Sequence, residues 1–477
     1  MQRKTKIIAT LGPAVDSLEQ ISRLVEAGMD AARMNFSHGT ADVHKQVFDW
    51  VHQAAGRHER AVTLLQDIQG PKIRVGSFPD DAITLEAGQE VRLLSGEEMA
   101  SAGEIYVGYL DRVLDLRPGS QVLLSDGRIS LEVAKLEGSV FATVIRGGEL
   151  RNRQGAAFPG LEVDLPTVTD KDRVDLEVGA ELGVDMVAAS FVASAADVEE
   201  VRKLAGGTVP VIAKLERSIG YEALDEIIAT SDGVMVARGD LGVELSFESL
   251  PRIQKDIISR TNTGGKISIT ATEMLESMTE NHRPTRAEVT DVANAVFDGT
   301  DAVMLSAETA VGRYPIRAVE VMDRICREAE QSPEHATGIK GGFIAHAAQF
   351  PSAMTKAAVE VTHNLDIATI ACFTETGTTA RLLSKYRPDA DIVAFSNNGP
   401  TYRRMALYSG VSPRHIDLHV TTDDLIFAAG EALLAAGLAK RGEAVVMVAG
   451  IPPNRGAETN LVQIHRVGST ETRDGSR

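Results

Sequence analysis

VPVIAKLERSIGYEALDEIIATSDGVMVARGD, residues 209–240, holds two short apolar runs, Val209–Glu216 and Gly233–Asp240, each ending on charged residues. Such a run reads as a buried strand whose polar end leaves the core. Lys214 and Glu216 alternate with Leu215, so both face the same side of their strand. Gly239, just before Asp240, lets backbone approach a ligand closely.

The same pattern recurs outward along the chain, at Lys6–Thr10, Ala31–Asn35, Ala61–Asp67, Met186–Ser190, Lys266–Thr272 and Ala302–Glu308. With the first two these make eight runs, mostly separated by helical patterns, which is what a (β/α)8 barrel requires. Between the last two runs the helix is explicit. Thr285 and Glu288 form a capping-box signature, and Val289, Val292, Ala293 and Val296 follow at helical spacing.

One connection departs from the pattern. Ile83–Leu85, Glu90–Leu94, Glu104–Val107, Gln121–Leu124, Ile129–Val133 and Val140–Val144 read as short strands with Gly turns. They predict a small β-barrel domain inserted after the third barrel strand, over the catalytic mouth as a lid. Beyond about residue 340, Ile367–Phe373, Ile392–Phe395 and Ala444–Ala449 predict a separate open α/β domain, with a loose tail after Val467. The expected division is 1–70 with 162–339 as barrel, 71–161 as lid and 340–477 as C-terminal domain.

The charge balance narrows the function. A net charge of -18 argues against a nucleic-acid surface, which needs clustered Lys and Arg. It leaves small anionic substrates open, because these need only a local positive site. Cys326 and Cys372 read as reduced, buried thiols rather than a disulfide framework or zinc site. The apolar stretch Ile7–Leu11 is too short for a signal-peptide core, and no run approaches a membrane span, so the expected compartment is the cytoplasm.

In a barrel the C-terminal strand ends build the active site. Here they carry Thr10, Arg33, Asn35, Asp67, Ser190, Lys214, Glu216, Arg238, Asp240, Thr272, Ser306 and Glu308. Carboxylates suit a hard cation such as Mg²⁺, and Lys and Arg suit a phosphoryl group and a developing oxyanion. The chemistry implied is metal-assisted work on a small phosphorylated acid. No Walker A sequence is present: Gly264–Lys266 lacks the earlier Gly and the following Ser or Thr.

KTKIIATLGPA (Lys4–Ala14), ARMNFSHG (Ala32–Gly39), GPKIRVG (Gly70–Gly76), SDGVMVARGDLGVEL (Ser231–Leu245), TATEMLESM (Thr270–Met278), RPTRAEVTDVANAVFDGTD (Arg283–Asp301) and MLSAETAVGRYP (Met304–Pro315) resemble the pyruvate kinase family nearly end to end. The resemblance implies Glu216 and Asp240 as ligands of a divalent metal, Mg²⁺ or Mn²⁺. It implies Lys214 as the cation stabilising the enolate, with Arg238 the next candidate, and Arg33 as the grip on the phosphoryl group. Thr272 falls at the reacting carbon and in the proton path, and Gly239 beside the substrate carboxylate. Asn35, Ser37, His38 and Arg74 fall where the family handles nucleotide phosphates. Phosphoenolpyruvate, ADP/ATP and pyruvate are the implied partners, with a homotetramer as the implied assembly.

Two further features come with the resemblance. Thr374, Thr376, Gly377, Thr378 and Thr379 open a helix after a buried strand, at the place of the family's effector pocket for sugar phosphates or nucleotides; Glu375 sits within the loop. The family's monovalent-cation pocket maps to Asn35, Ser37, Asp67 and Ile68. Lys72 stands where potassium-requiring members have Glu, so the chain resembles the branch that works without K⁺. Glu273 departs from the family's Gln, and Gln154 from a lid Lys, although Arg151 and Arg153 flank it. The competing readings are a catalytically silent effector-binding protein on this scaffold and another metal-dependent barrel enzyme, a lyase or mutase, acting on phosphoenolpyruvate or an oxo acid. The intact charged set speaks against the first, and the lid and second α/β domain against the second.

Overall fold

In a computed structural model, which describes residues 3–332, 349–417, 421–452 and 457–468, the eight runs form a closed parallel barrel. Its strands are β1 (Lys6–Leu11), β2 (Ala31–Asn35), β3 (Thr63–Asp67), β4 (Met186–Ala189), β5 (Val211–Leu215), β6 (Gly233–Ala237), β7 (Ile267–Ala271) and β8 (Ala302–Leu305). Each strand pairs with its neighbour in sequence, and β8 pairs with β1 through Lys6 opposite Ala302.

The period-2 alternation of strands sorts their side chains into two cores. Ala9, Ala213, Leu215, Val234 and Val236 pack outward with the surrounding helices. Ile8, Ala31, Leu65, Ala188, Ile212 and Met235 fill the barrel interior. Continuing the interior columns upward gives Thr10, Arg33, Asp67, Ser190 and Lys214. The polar mouth is therefore the interior column of five strands carried past the point where apolar filling ends. The capping box forms as expected: Glu288 N–H donates to Thr285 Oγ1 at 3.2 Å, and Thr285 N–H donates to Glu288 Oε2 at 2.7 Å.

Between β3 and β4 lies a six-stranded sheet in the order 156–157, 121–124, 129–136, 140–146, 90–95, 104–107, with a separate pair, Ala82–Leu85 and Gly148–Arg151. Arg74 bridges Gly155 and Val75 bridges Val107, so the segment leaving β3 joins the sheet's two edges. Val91, Ile105, Val122, Leu131 and Val144 form its own core.

The C-terminal sheet runs Val411–His415, Asp391–Ser396, Thr369–Phe373, Ala444–Gly450, Thr459–Arg466, parallel except for the last pair. The expected boundary at 339/340 and the tail beyond Gly468 lie outside the described residues. This domain docks on the barrel end opposite the mouth. Asp301, just before β8, pairs with Lys385 and, at 2.7 Å, with Arg387. Asp185, just before β4, meets Arg403 at 2.8 Å, and Lys6 Nζ donates to Val411 O at 2.8 Å. Among the described residues no helix is long and apolar enough to cross a membrane.

Candidate active site

Lys214 is the hub of the mouth. Its ammonium lies 3.1 Å from Asp67 Oδ1, 3.0 Å from Glu216 Oε1 and 2.6 Å from Ser190 Oγ. Burial alone would push its pKa down, but Asp67 and Glu216 outweigh that and hold it above the usual lysine value. The charge is thus fixed in a site where solvent hardly screens it. Ser190, read from sequence only as a strand end, proves to be part of this set: its hydroxyl accepts from Lys214 and donates to Ile68 O at 2.7 Å.

Asp67 also receives Arg33 Nε at 2.6 Å, while Arg33 NH1 donates to Thr10 Oγ1 at 3.1 Å. Burial pushes the Asp67 carboxyl up, yet Arg33 and Lys214 win and keep it below the ordinary range. Arg33 and Lys214 are thereby held on opposite oxygens of one carboxylate, two cations side by side in the mouth.

Glu216 Oε2 accepts Phe191 N–H at 2.7 Å. Its carboxyl is pushed up by burial first, with Asp240 and Asp67 adding to the rise and Lys214 opposing it. Asp240 lies in the first turn of the helix Arg238–Glu244 rather than at the end of β6 itself. The Asp240 charge beside the buried Glu216 carboxyl makes a place that a cation would relieve. Among the described residues no group of three or more His, Cys, Asp or Glu is placed to hold a metal. The pair still fits Mg²⁺, which is typically bound through one or two carboxylates and keeps waters and substrate oxygens for the rest.

Thr272 and Glu273 follow β7 in the left-handed region, at φ 63° and 54°. For a β-branched residue that is a genuine outlier, and it persists only where the surroundings enforce it. Here Arg238 enforces it. Its NH2 donates to Thr272 O at 2.6 Å and Glu273 O at 3.2 Å, and its NH1 meets both oxygens of Asp291, at 2.7 and 2.6 Å. Arg238 is therefore a clamp on the Thr272 turn, and its role as an alternative catalytic charge is corrected. Gly239 N–H donates to Thr272 Oγ1 at 2.8 Å, so this donor, expected beside the substrate carboxylate, is engaged in fixing Thr272. Arg238→Lys should keep the fold but release the turn, because an ammonium cannot reproduce the guanidinium fork. Turnover should fall roughly tenfold or more, given how steeply rate depends on placement. A steady-state comparison showing unchanged kcat would remove the clamp from the account.

The remaining sequence candidates divide. Asn35 Oδ1 accepts Ser37 N–H at 3.2 Å at the end of β2, and His38 is exposed in the following turn. Arg74 belongs to the lid, where NH1 donates to Arg153 O at 3.0 Å, and it makes no hydrogen bond with Asn35, Ser37 or His38 among the described residues. Lys72 Nζ lies 2.7 Å from Asp240 Oδ1, so it faces the carboxylate pair. In the C-terminal domain, Thr374 Oγ1 accepts Gly377 N–H at 2.9 Å, Thr376 and Thr378 hydroxyls meet at 3.0 Å, and Thr379 bonds Thr459 at 2.7 Å. Gly377 has φ 88°, and a Cβ there would come within 3.0 Å of the Tyr408 hydroxyl. Thr374, Thr376, Thr378 and Thr379 border a cavity of about 270 Å³, which Glu375, Asp417 and Glu458 also line.

Comparison with known proteins agrees with this architecture. Residues 2–319 match the family model of the pyruvate kinase barrel domain, and residues 352–465 that of the pyruvate kinase alpha/beta domain. The chain is 42% identical over 472 residues to a pyruvate kinase of Geobacillus stearothermophilus, covering 98% of this chain and 80% of that one. It is 41% identical over 473 residues to one from Staphylococcus saprophyticus, covering 98% and 81%. With one from Corynebacterium glutamicum it shares 40% identity over 477 residues, 98% of each chain. On fold, site and sequence together, this chain belongs to the pyruvate kinase family.

Proposed function

We propose that the enzyme transfers the phosphoryl group of phosphoenolpyruvate to ADP, giving pyruvate and ATP, the last step of glycolysis. The observation that carries this reading is the buried, charged Lys214 set between Asp67, Ser190 and Glu216 and beside Arg33. When the phosphoryl group leaves, the substrate oxygen gains negative charge, and a preorganised ammonium stabilises that charge without reorganisation. Arg33 holds the phosphoryl oxygens in a fixed orientation, since phosphoryl transfer depends on alignment and charge neutralisation more than on covalent chemistry. Glu216 and Asp240 would hold Mg²⁺ or Mn²⁺, which supplies charge neutralisation and a template for the substrate. Thr272, pinned by Arg238, sits where a proton must reach the enolate carbon. Asn35, Ser37 and His38, with Arg74 from the lid, serve the nucleotide phosphates.

Phosphorus NMR of a mixture of phosphoenolpyruvate, ADP and Mg²⁺ tests the reading. The phosphoryl signal should move to the γ position of ATP. Release as inorganic phosphate would indicate another barrel chemistry, and an unchanged spectrum a silent scaffold.

We also infer that turnover needs no K⁺. Support comes from Lys72, which stands where potassium-requiring members of the family have Glu and whose ammonium lies in the cleft 2.7 Å from Asp240 Oδ1. In tetramethylammonium buffer, kcat should be nearly equal with and without K⁺. Activation many-fold by K⁺ would sink the idea. The cavity at Thr374–Thr379 is read as the effector site, with the phosphate of a sugar phosphate or nucleotide at the threonines. Thr378→Glu should abolish activation by such an anion and leave unactivated turnover intact; surviving activation would leave the loop a helix cap only.

A further inference from the structure

Ser37 and His38 lie just beyond β2, where the barrel's own pairing stops. Arg33 and Asn35 are held in register opposite Leu65 and Asp67. Phe36 N–H still donates to Asp67 O at 2.9 Å. After it the chain turns back on itself: Ser37 N–H donates to Asn35 Oδ1 at 3.2 Å and His38 N–H to Asn35 O at 3.3 Å. The turn that carries the two residues is therefore hung from Phe36.

Two side chains from outside the strand fix Phe36. His44, buried in the helix Ala41–Arg57, stacks its ring on that of Phe36, with centroids 3.8 Å apart and planes 9° from parallel. Gly39, at φ 88°, closes over it: a Cβ there would lie 3.3 Å from His44 Nε2. Burial pushes the His44 pKa below the usual histidine value, although the His38 backbone and Asp175 oppose the fall. The ring is thus a neutral wedge under the turn, not a cation offered to phosphate. Lys171 comes from the helix Asp170–Leu182. Its ammonium donates to Phe36 O and pairs with Asp175 Oδ2 at 2.6 Å. Phe36 O and Ser37 N–H belong to one peptide plane, so the bond from Lys171 sets the plane whose N–H meets Asn35.

A half-exposed lysine usually holds a geometry weakly. Here its helix is firmly seated. Asp172, fully buried, accepts Thr169 N–H at 3.0 Å in a capping box and Gly70 N–H at 3.1 Å. Asp175 O accepts Gln66 Nε2 at 2.6 Å, and a Cβ at Gly179 would collide with Gln66 Oε1, so the helix lies close on β3. We propose that Lys171 and His44 are positioning residues for the nucleotide: they fix Phe36 by its carbonyl and its ring, and so aim Ser37 and His38 at the nucleotide phosphates. The proposal rests on the reading of those two residues as nucleotide ligands. Arg33 and Lys214 are held by Asp67 and Glu216 instead, so the phosphoenolpyruvate side of the mouth does not depend on this clamp.

The test is steady-state kinetics of the full chain with Mg²⁺, each substrate varied while the other saturates. If the freed turn keeps the binding orientation roughly a tenth to a third of the time, apparent nucleotide affinity falls by the inverse of that fraction. Lys171→Met should therefore raise the KM for ADP roughly three- to tenfold, with kcat and the KM for phosphoenolpyruvate within about twofold of wild type. The Lys171 side chain is 46% exposed, so this change leaves the core untouched. Lys171→Arg, which keeps a charged donor for the carbonyl, should stay near wild type. His44→Ala, with its fold checked by circular dichroism, should raise the KM for ADP by a similar factor. The double variant should lose less than the product of the two single losses, because both act on one residue. An unchanged KM for ADP in Lys171→Met overturns the proposal. So does an equal rise in both KM values, which would be a general loosening of the mouth. If Ser37→Ala and His38→Ala leave the KM for ADP unchanged, the nucleotide reading itself has failed, and the proposal with it.

Discussion

Lys214→Met is expected to lower turnover by roughly 10²–10³, the loss that follows removal of one preorganised charge aimed at a developing oxyanion. The substitution matches the stem in length and removes only the ammonium. Arg33 cannot replace it, because its Nε is already held by Asp67 Oδ2 at 2.6 Å. Removing a buried cation also leaves Asp67 Oδ1 and Glu216 facing each other, and breaking a buried pair typically costs about 3–5 kcal/mol. A lower thermal midpoint is therefore expected alongside the kinetic loss. Arg33 still neutralises Asp67, and the barrel below is filled by Ile212, Leu65 and Ala188, so the fold should survive. Steady-state kinetics together with circular dichroism separate the two effects. A folded variant with near-normal kcat would place the catalytic charge elsewhere.

Asp240→Asn should raise the Mg²⁺ concentration needed for half-maximal rate at least tenfold and lower saturated turnover by about 10². Lewis-acid neutralisation contributes several kcal/mol, and each 1.36 kcal/mol is a factor of ten. Asparagine keeps the shape but offers the cation no charge. It also releases Lys72, which loses its partner at 2.7 Å. The loss of the ligand dominates, because a hard divalent ion depends on carboxylate charge. Rate measured against Mg²⁺ concentration checks this. An unchanged midpoint and rate would exclude Asp240 from the metal site.

The barrel was legible because strand parity repeats. Interior positions such as Ile8, Leu65 and Ile212 lead upward to Thr10, Asp67 and Lys214, and the sequence shows each column directly. Parity also separates the surroundings of two further strand-end residues. Ser190 shares its side with Ala188, which faces the interior. Arg238 shares its side with Val234 and Val236, which face the helices, where it meets Asp291. Other features lacked a local signal. Val411–His415 contains Pro413, and Thr459–Arg466 is an edge strand with five of its eight residues polar, so neither reads as a buried run. The lid's closure through Arg74 and Val75 rests on single-residue bridges with no periodicity to detect. The partner of Lys72 depends on where a loop brings it, which spacing does not encode.

The most direct test of the whole account is pyruvate formation by the purified chain from phosphoenolpyruvate and ADP, measured with Mg²⁺ and again after chelation. The account expects turnover on the order of 1–100 s⁻¹, falling to background with chelator and returning when Mg²⁺ or Mn²⁺ is restored. No pyruvate under any condition, or a rate untouched by chelator, would contradict it.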